Sequence, residues 1–194
     1  KPTHVFGTAL SSVFHSTDIA RLQILYQYGG IALDEDTFVI QSLNPFRVYE
    51  LTLGWPEGQF IGTQIVIAKK GAPFIKYWLE SYKDYRPASW YYNAGELPTK
   101  TILGKNPNFV HRIEEKFGVQ NLANELYAQY WPKWRDFYAI HLLWRHRDYL
   151  VKEDYKEIDW FDENNIQNYT KTFGEMARSV WNELDESEKS HSRL

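Results

Sequence analysis

"STDIARLQILYQYGGIALDEDTFVI", residues 16–40, decides how this chain is read. Apolar Ile19, Leu22, Leu25 and Tyr26 recur at helical spacing, and Ser16-Thr17-Asp18 ahead of them offers oxygen side chains for an N-cap. Gly29-Gly30 ends the helical pattern. Ile31-Ala32-Leu33 reads as a short strand running straight into Asp34-Glu35-Asp36, with Thr37-Phe38-Val39-Ile40 continuing beyond. Carboxylates inside an apolar run are unfavourable unless something pairs with them.

On a strand, residues two apart share a face, so Asp34 and Asp36 converge while Glu35 points away. Converging carboxylates repel unless a proton or a cation lies between them, and oxygen ligands suit Mg²⁺ or Mn²⁺. The alternative is a solvated acidic turn. The flanking "IAL" and "TFVI" favour the first reading, because an exposed tip more often continues into Gly, Asn or Ser. Asp18 and Arg21, three apart on one helix face, form either a surface pair or a device that holds a neighbouring acid or reaches a phosphate.

The 194 residues suffice for a real core, and 43% hydrophobic content excludes a disordered chain. A net charge of −3 gives no footprint for nucleic acid, and the absence of cysteine excludes disulfides, thiolate metal sites and Cys nucleophiles. No apolar run reaches the ~20 residues of a membrane span, so a membrane enters only through a segment outside this chain. The chain opens on Lys1, consistent with an excised, N-terminally truncated domain. Helix followed by strand, repeated in the first half, argues for a layered α/β sheet. Further strands are expected in "ELTLGW" and "GTQIVIAKK", and helices from Pro73, in "LPTKTIL" and in "NYTKTFGEMARSVWNEL". One domain is expected over 1–180, with 181–194 a polar, frayed tail.

"HSTDIARLQILYQYGGIALDEDTF" resembles the sugar-binding, DXD-containing region of GT-A glycosyltransferases, a group with yeast-type α-mannosyltransferases, α-1,4-galactosyl- and N-acetylglucosaminyltransferases and clostridial glucosylating toxins. Asp18, Arg21, Gly29, Gly30, Leu33, Asp34 and Asp36 match its pattern in order and spacing. The resemblance implies a Rossmann-like GT-A fold whose first strand would precede Lys1. It also implies a Mn²⁺- (or Mg²⁺-) dependent transferase. The donor would be a nucleotide-diphosphate sugar, most naturally a UDP-sugar, and the acceptor a glycan or glycolipid. It further implies retention of configuration and, in a eukaryote, the Golgi lumen. By the same likeness Asp36 would ligate the metal, Asp34 would contact ribose or the metal's water shell, and Asp18 and Arg21 would contact the donor sugar. Ala32 replaces the family's usual ring, and Gln64 stands where an Asn near the sugar is common.

His141, in "YAIHLLWRH", is the expected late metal ligand, or else a core histidine. Arg145 and His146 either approach the diphosphate or lie on the surface. In "SWYYNAGELP" consecutive rings cannot all face a core, so Trp90 is either an acceptor-sugar platform, with Asn93 and Glu96 as further contacts, or packs inward with Tyr92. Two other functions compete. A haloacid-dehalogenase-type phosphatase also uses Asp-x-Asp after a strand, but its signature places Thr or Val where Phe38 stands. A non-catalytic module binding sugar nucleotides or glycans is the other.

Overall fold

The computed structural model describes residues 1–145 and 161–185. His146 and the tail beyond Asp185 lie outside them. The architecture is mixed α/β, as expected from the alternation of helix and strand. Contacts divide the chain into two compact units: residues 1–120 with 137–141, and residues 121–136 with 142–194.

The first unit opens with a hairpin, β1 (His4–Val5) and β2 (Thr8–Ala9), followed by helix α1 (Val13–Tyr28). α1 begins earlier than the "STD" signal suggests. Its N-cap is Ser12, whose hydroxyl accepts from the His15 backbone N–H at 3.2 Å. Ser16 and Thr17 are internal, and their hydroxyls donate back to the carbonyls of Ser12 and Val13 at 3.1 and 2.9 Å. Asp18 is therefore not a first-turn acid resting on the helix dipole. It lies a turn deeper, on the side of the helix that faces the protein.

β3 (Gly30–Leu33) and β4 (Thr37–Val39) flank the acidic triplet. β5 (Leu51–Gly54), β6 (Ile65–Ala68) and, later, β7 (His111–Ile113) complete a mixed sheet of order β3-β6-β5-β7. β3/β6 and β6/β5 are antiparallel, and β5/β7 is parallel. The sheet is covered on both faces, which is why β6 is apolar at every position. Val66 and Ala68 join Leu51 and Leu53 against Ile19, Leu22 and Leu25 of α1 and Phe74, Ile75 and Trp78 of α2 (Pro73–Ser81). Ile65 and Ile67 face the opposite way, against Leu43, Phe46, Phe117 and Ala139. β8 (Phe117–Gly118) and β9 (Ala139–His141) form a second small sheet with β4, of order β4-β9-β8. "LPTKTIL" makes only a wide π-helical turn over Thr99–Leu103, not a regular helix.

The second unit contains α3 (Ala123–Tyr127) and α4 (Thr172–Glu183). Tyr127, Trp144, Phe161 and Phe173 pack ring against ring, and the Thr172 hydroxyl both accepts from the Trp131 backbone N–H and donates to the Gln129 carbonyl. No helix among the described residues is long and apolar enough to cross a membrane.

The two glycines after α1 have separate reasons. Gly29 has φ +70° and a Cβ there would lie 2.6 Å from the Lys70 backbone nitrogen, while Gly30 has φ +117° in open space. Gly29→Ala combines left-handed strain with a backbone collision and should destabilise by on the order of 2 kcal/mol. Thermal melting should show a clear drop for Gly29→Ala and a smaller one for Gly30→Ala; equal melting temperatures would mean the α1–β3 turn is not held against residues 68–70.

Candidate functional site

Asp34 leaves β3 and Asp36 enters β4, and the four residues Asp34–Thr37 form a tight turn closed by the Thr37 N–H donating to the Asp34 carbonyl at 3.0 Å. The acids therefore meet through a turn and not through strand alternation, which corrects the expectation of a continuous strand. The turn is nonetheless not a solvated tip: the two side chains are only 28% and 30% exposed.

The second sheet supplies the third group. β4 pairs antiparallel with β9 in a register that sets Thr37 opposite His141. This pairing carries His141, far away in sequence, to the residue next to Asp36. Its Nε2 lies 3.0 Å from Asp36 Oδ1 and 3.7 Å from Asp34 Oδ2. The ligand atoms of Asp34, Asp36 and His141 all lie within 4.8 Å of one another. Nδ1 of His141 is buried without a hydrogen-bond partner among the described residues, so the ring is oriented by its strand and by what Nε2 faces.

A buried guanidinium holds the other side of Asp34. Arg21 donates through one nitrogen to Asp34 Oδ1 and through the other to the Thr63 carbonyl. Asp34 is thus divided, Oδ1 on the arginine and Oδ2 toward His141. Its backbone N–H also donates to the Gln64 carbonyl at 2.9 Å.

Asp18, one turn before Arg21, accepts from the Thr63 hydroxyl at 2.6 Å. Burial pushes its carboxyl pKa up; the Thr63 hydrogen bond and the nearby Arg21 charge only partly offset this. Thr63 thereby ties Asp18, Arg21 and the loop before β6 into one piece. Nothing in the sequence singled it out, since a lone Thr before an apolar strand carries no signal.

Gln64 hydrogen-bonds Tyr91, whose hydroxyl donates to the Ile61 carbonyl at 2.6 Å and whose pKa burial raises to about 12. A Cβ on Gly62 would collide with the Gln64 amide, and one on Gly95 with the Tyr91 ring. Tyr91 was missed in the sequence because only its neighbours' exposure was at issue there.

The remaining sequence candidates sit on another segment. Asn93 is buried, its amide accepting from the Arg86 N–H and donating to the Asp84 carbonyl, both at 3.0 Å. Its amide closes the loop between residues 84 and 93. Glu96 pairs with Lys100 one turn on, at 2.6 Å. Trp90 is exposed and does not pack inward, and Arg145 is exposed in the second unit.

Two carboxylate oxygens and an imidazole nitrogen, preset by one turn, the β4–β9 pairing and one arginine, can hold a divalent cation. Adjacent ligands in a near-octahedral site with bonds of about 2.1 Å lie ~3.0 Å apart. The 3.0 Å and 3.7 Å separations observed are close to such edges.

Comparison with known proteins agrees with this geometry. Residues 3–52 match the family described as glycosyltransferase sugar-binding region containing DXD motif. The chain is 32% identical over 83 residues to a protein named glycosyltransferase afumC of Aspergillus fumigatus, covering 36% of this chain and 21% of that one. It is 34% identical over 83 residues to an O-glycosyltransferase, braB, of Annulohypoxylon truncatum, covering 36% and 20%. A protein of Arabidopsis thaliana named as uncharacterized is 31% identical over 120 residues, covering 54% and 18%. The chain spans about a fifth of the length of these relatives. No solved structure matches it.

Because burial raises the Asp18 pKa, the folded protein holds that proton more tightly than the unfolded chain does. Stability from this group therefore falls as pH rises from the ordinary carboxylate value of 3.8 through the raised one. Asp18→Asn keeps an oxygen for the Thr63 hydroxyl and removes the ionised carboxylate. It should melt at or above the wild-type temperature at pH 7, and the difference should vanish below about pH 3.8. A lower melting temperature at pH 7 would show Asp18 to be a net stabilising charge.

Proposed function

We propose that this chain, whose residues 3–52 match a DXD-containing glycosyltransferase sugar-binding region, is the donor-binding part of a divalent-metal-dependent transferase acting on a nucleotide-diphosphate sugar. The observation that carries the reading is the convergence of Asp34 Oδ2, Asp36 Oδ1 and His141 Nε2. The mixed oxygen and nitrogen donor set suits Mn²⁺ better than Mg²⁺, which favours oxygen alone. When bound, such an ion neutralises the charge that gathers on a diphosphate leaving group.

The chain's own residues do the rest. Asp36 and His141 present one ligand atom each, and Asp34 presents Oδ2 because Arg21 occupies Oδ1. Arg21 is thus a positioning residue, reaching the donor through Asp34 and Thr63. Asp18, bonded to Thr63, and Gln64, the next residue along, bring a carboxylate and an amide that can take hydroxyls of a hexose or N-acetylhexosamine.

In the reaction, the bond from the anomeric carbon to the diphosphate oxygen breaks and the electron pair leaves with the nucleoside diphosphate. The anomeric carbon bonds to an acceptor hydroxyl on the same face, and the hydroxyl proton passes to the leaving diphosphate. Retention of configuration, a GT-A arrangement of the sheet, a UDP donor, a glycan or glycolipid acceptor and a lumenal Golgi placement go with this reading. A phosphatase using Asp34 as nucleophile is less well served, because the guanidinium bound to that carboxylate withdraws its reactivity.

The test is nucleotide release from a panel of UDP- and GDP-sugars with Mn²⁺. Release should stop with a chelator and return with added Mn²⁺. Asp36→Ala should lower it at least about a hundredfold while leaving the melting temperature within a degree or so. Release that persists in Asp36→Ala, or in the chelator, would remove the metal from the reaction.

A further inference from the structure

The donor reading leaves one exposed aromatic pair without a use. Trp90 is 59% exposed and Phe14, on the first turn of α1, is 37% exposed. Their ring centroids are 4.7 Å apart at 63°, an edge-on contact. Single exposed rings are ordinary, but these two are fixed in place. His15 is buried, with Nε2 3.2 Å from the Trp90 carbonyl oxygen and Nδ1 2.6 Å from the Tyr85 hydroxyl. Ser11 donates its backbone N–H to Tyr85 Oη at 3.0 Å and its hydroxyl to the Pro87 carbonyl at 2.8 Å. The loop over 85–90 is therefore tied to the start of α1 at both ends, and its tryptophan is presented on a rigid backbone.

Helix geometry sets the direction. At about 100° per residue (3.6 per turn), Phe14 and Arg21 come within ~20° of the same side of α1, and Asp18 lies between them within ~60° of each. With ~1.5 Å of rise per residue, the ring of Phe14 starts ~10 Å along the axis from Arg21, with Asp18 about midway. Arg21 touches Asp34. A line along one helix face thus runs from the acidic centre, past the carboxylate assigned to the donor sugar, to the aromatic pair. That span fits one sugar ring over Asp18 and the next over the rings.

We propose that Trp90 and Phe14 form the acceptor subsite and that the acceptor group bound there is the pyranose ring of a saccharide. It rests on the transferase reading above. A pyranose has an apolar C–H face that rests on an aromatic ring and a polar rim that stays in water. The loop that carries Trp90 is anchored by the Ser11 and Tyr85 hydroxyls, which lie 3.0 Å apart. A lipid surface would need a contiguous apolar patch instead.

The test uses the full chain. Binding of methyl glycosides and short oligosaccharides is measured by isothermal titration calorimetry, and in parallel the share of donor transferred to them is compared with the share lost to water. Trp90→Ala should abolish the heat of saccharide binding and lower the transfer-to-hydrolysis ratio roughly tenfold. Trp90→Tyr, which keeps a ring, should restore most of both. Saccharide binding and a partition ratio the same in Trp90→Ala as in wild type would overturn the subsite while leaving the transferase intact. Trp90-dependent binding to phosphatidylcholine vesicles but to no glycoside would also overturn it. Trp90-dependent glycoside binding without nucleotide release from any donor would support the subsite and count against the transferase instead.

Discussion

The buried pairing of Arg21 with Asp34 is the contact on which this structure turns. A guanidinium at 9% exposure is tolerable only if its donors are met, and here they are met by a carboxylate and a backbone carbonyl. Removing either partner would strand a charge. The same contact fixes which oxygen of Asp34 remains to face His141. Helix, loop and turn are thereby locked together at the acidic turn Asp34–Asp36.

Around it, two kinds of order divide the work. The large sheet is apolar on both faces and gives the helices something to pack on. The small sheet adds Phe117 and Ala139 to the core and also sets position, since the β4–β9 register places His141 opposite Thr37, the residue after Asp36. The candidate ligand set depends on the smaller sheet because such a set needs placement more than it needs buried area.

The sequence disclosed much of this, and what it concealed follows a pattern. Periodicity identified α1, and the apolar blocks identified β3, β5 and β6, because each is a local signal. Gly29 and Gly30 were legible as a helix stop, although only the structure separates a collision at Gly29 from conformational freedom at Gly30. The start of α1 was misplaced since Ser11-Ser12 and Ser16-Thr17-Asp18 are both plausible caps, and the choice was made by tertiary burial of His15 and Ser16. Asp34 and Asp36 could be picked out, yet their turn could not, because the pairing of β4 with a strand near residue 140 determines it. Thr63 and Tyr91 act through backbone carbonyls and neighbours brought close by folding, and residue type alone says nothing of that.

The late arrival of β9 has a consequence during synthesis. Asp34, Asp36 and Arg21 emerge from the ribosome well before His141, and the strand that carries it must cross back to pair with β4. Until then the nascent chain offers two acids and an arginine but no complete cage. The cluster of Asp34, Asp36 and His141 is thereby completed only after residues 139–141 have paired with residues 37–39.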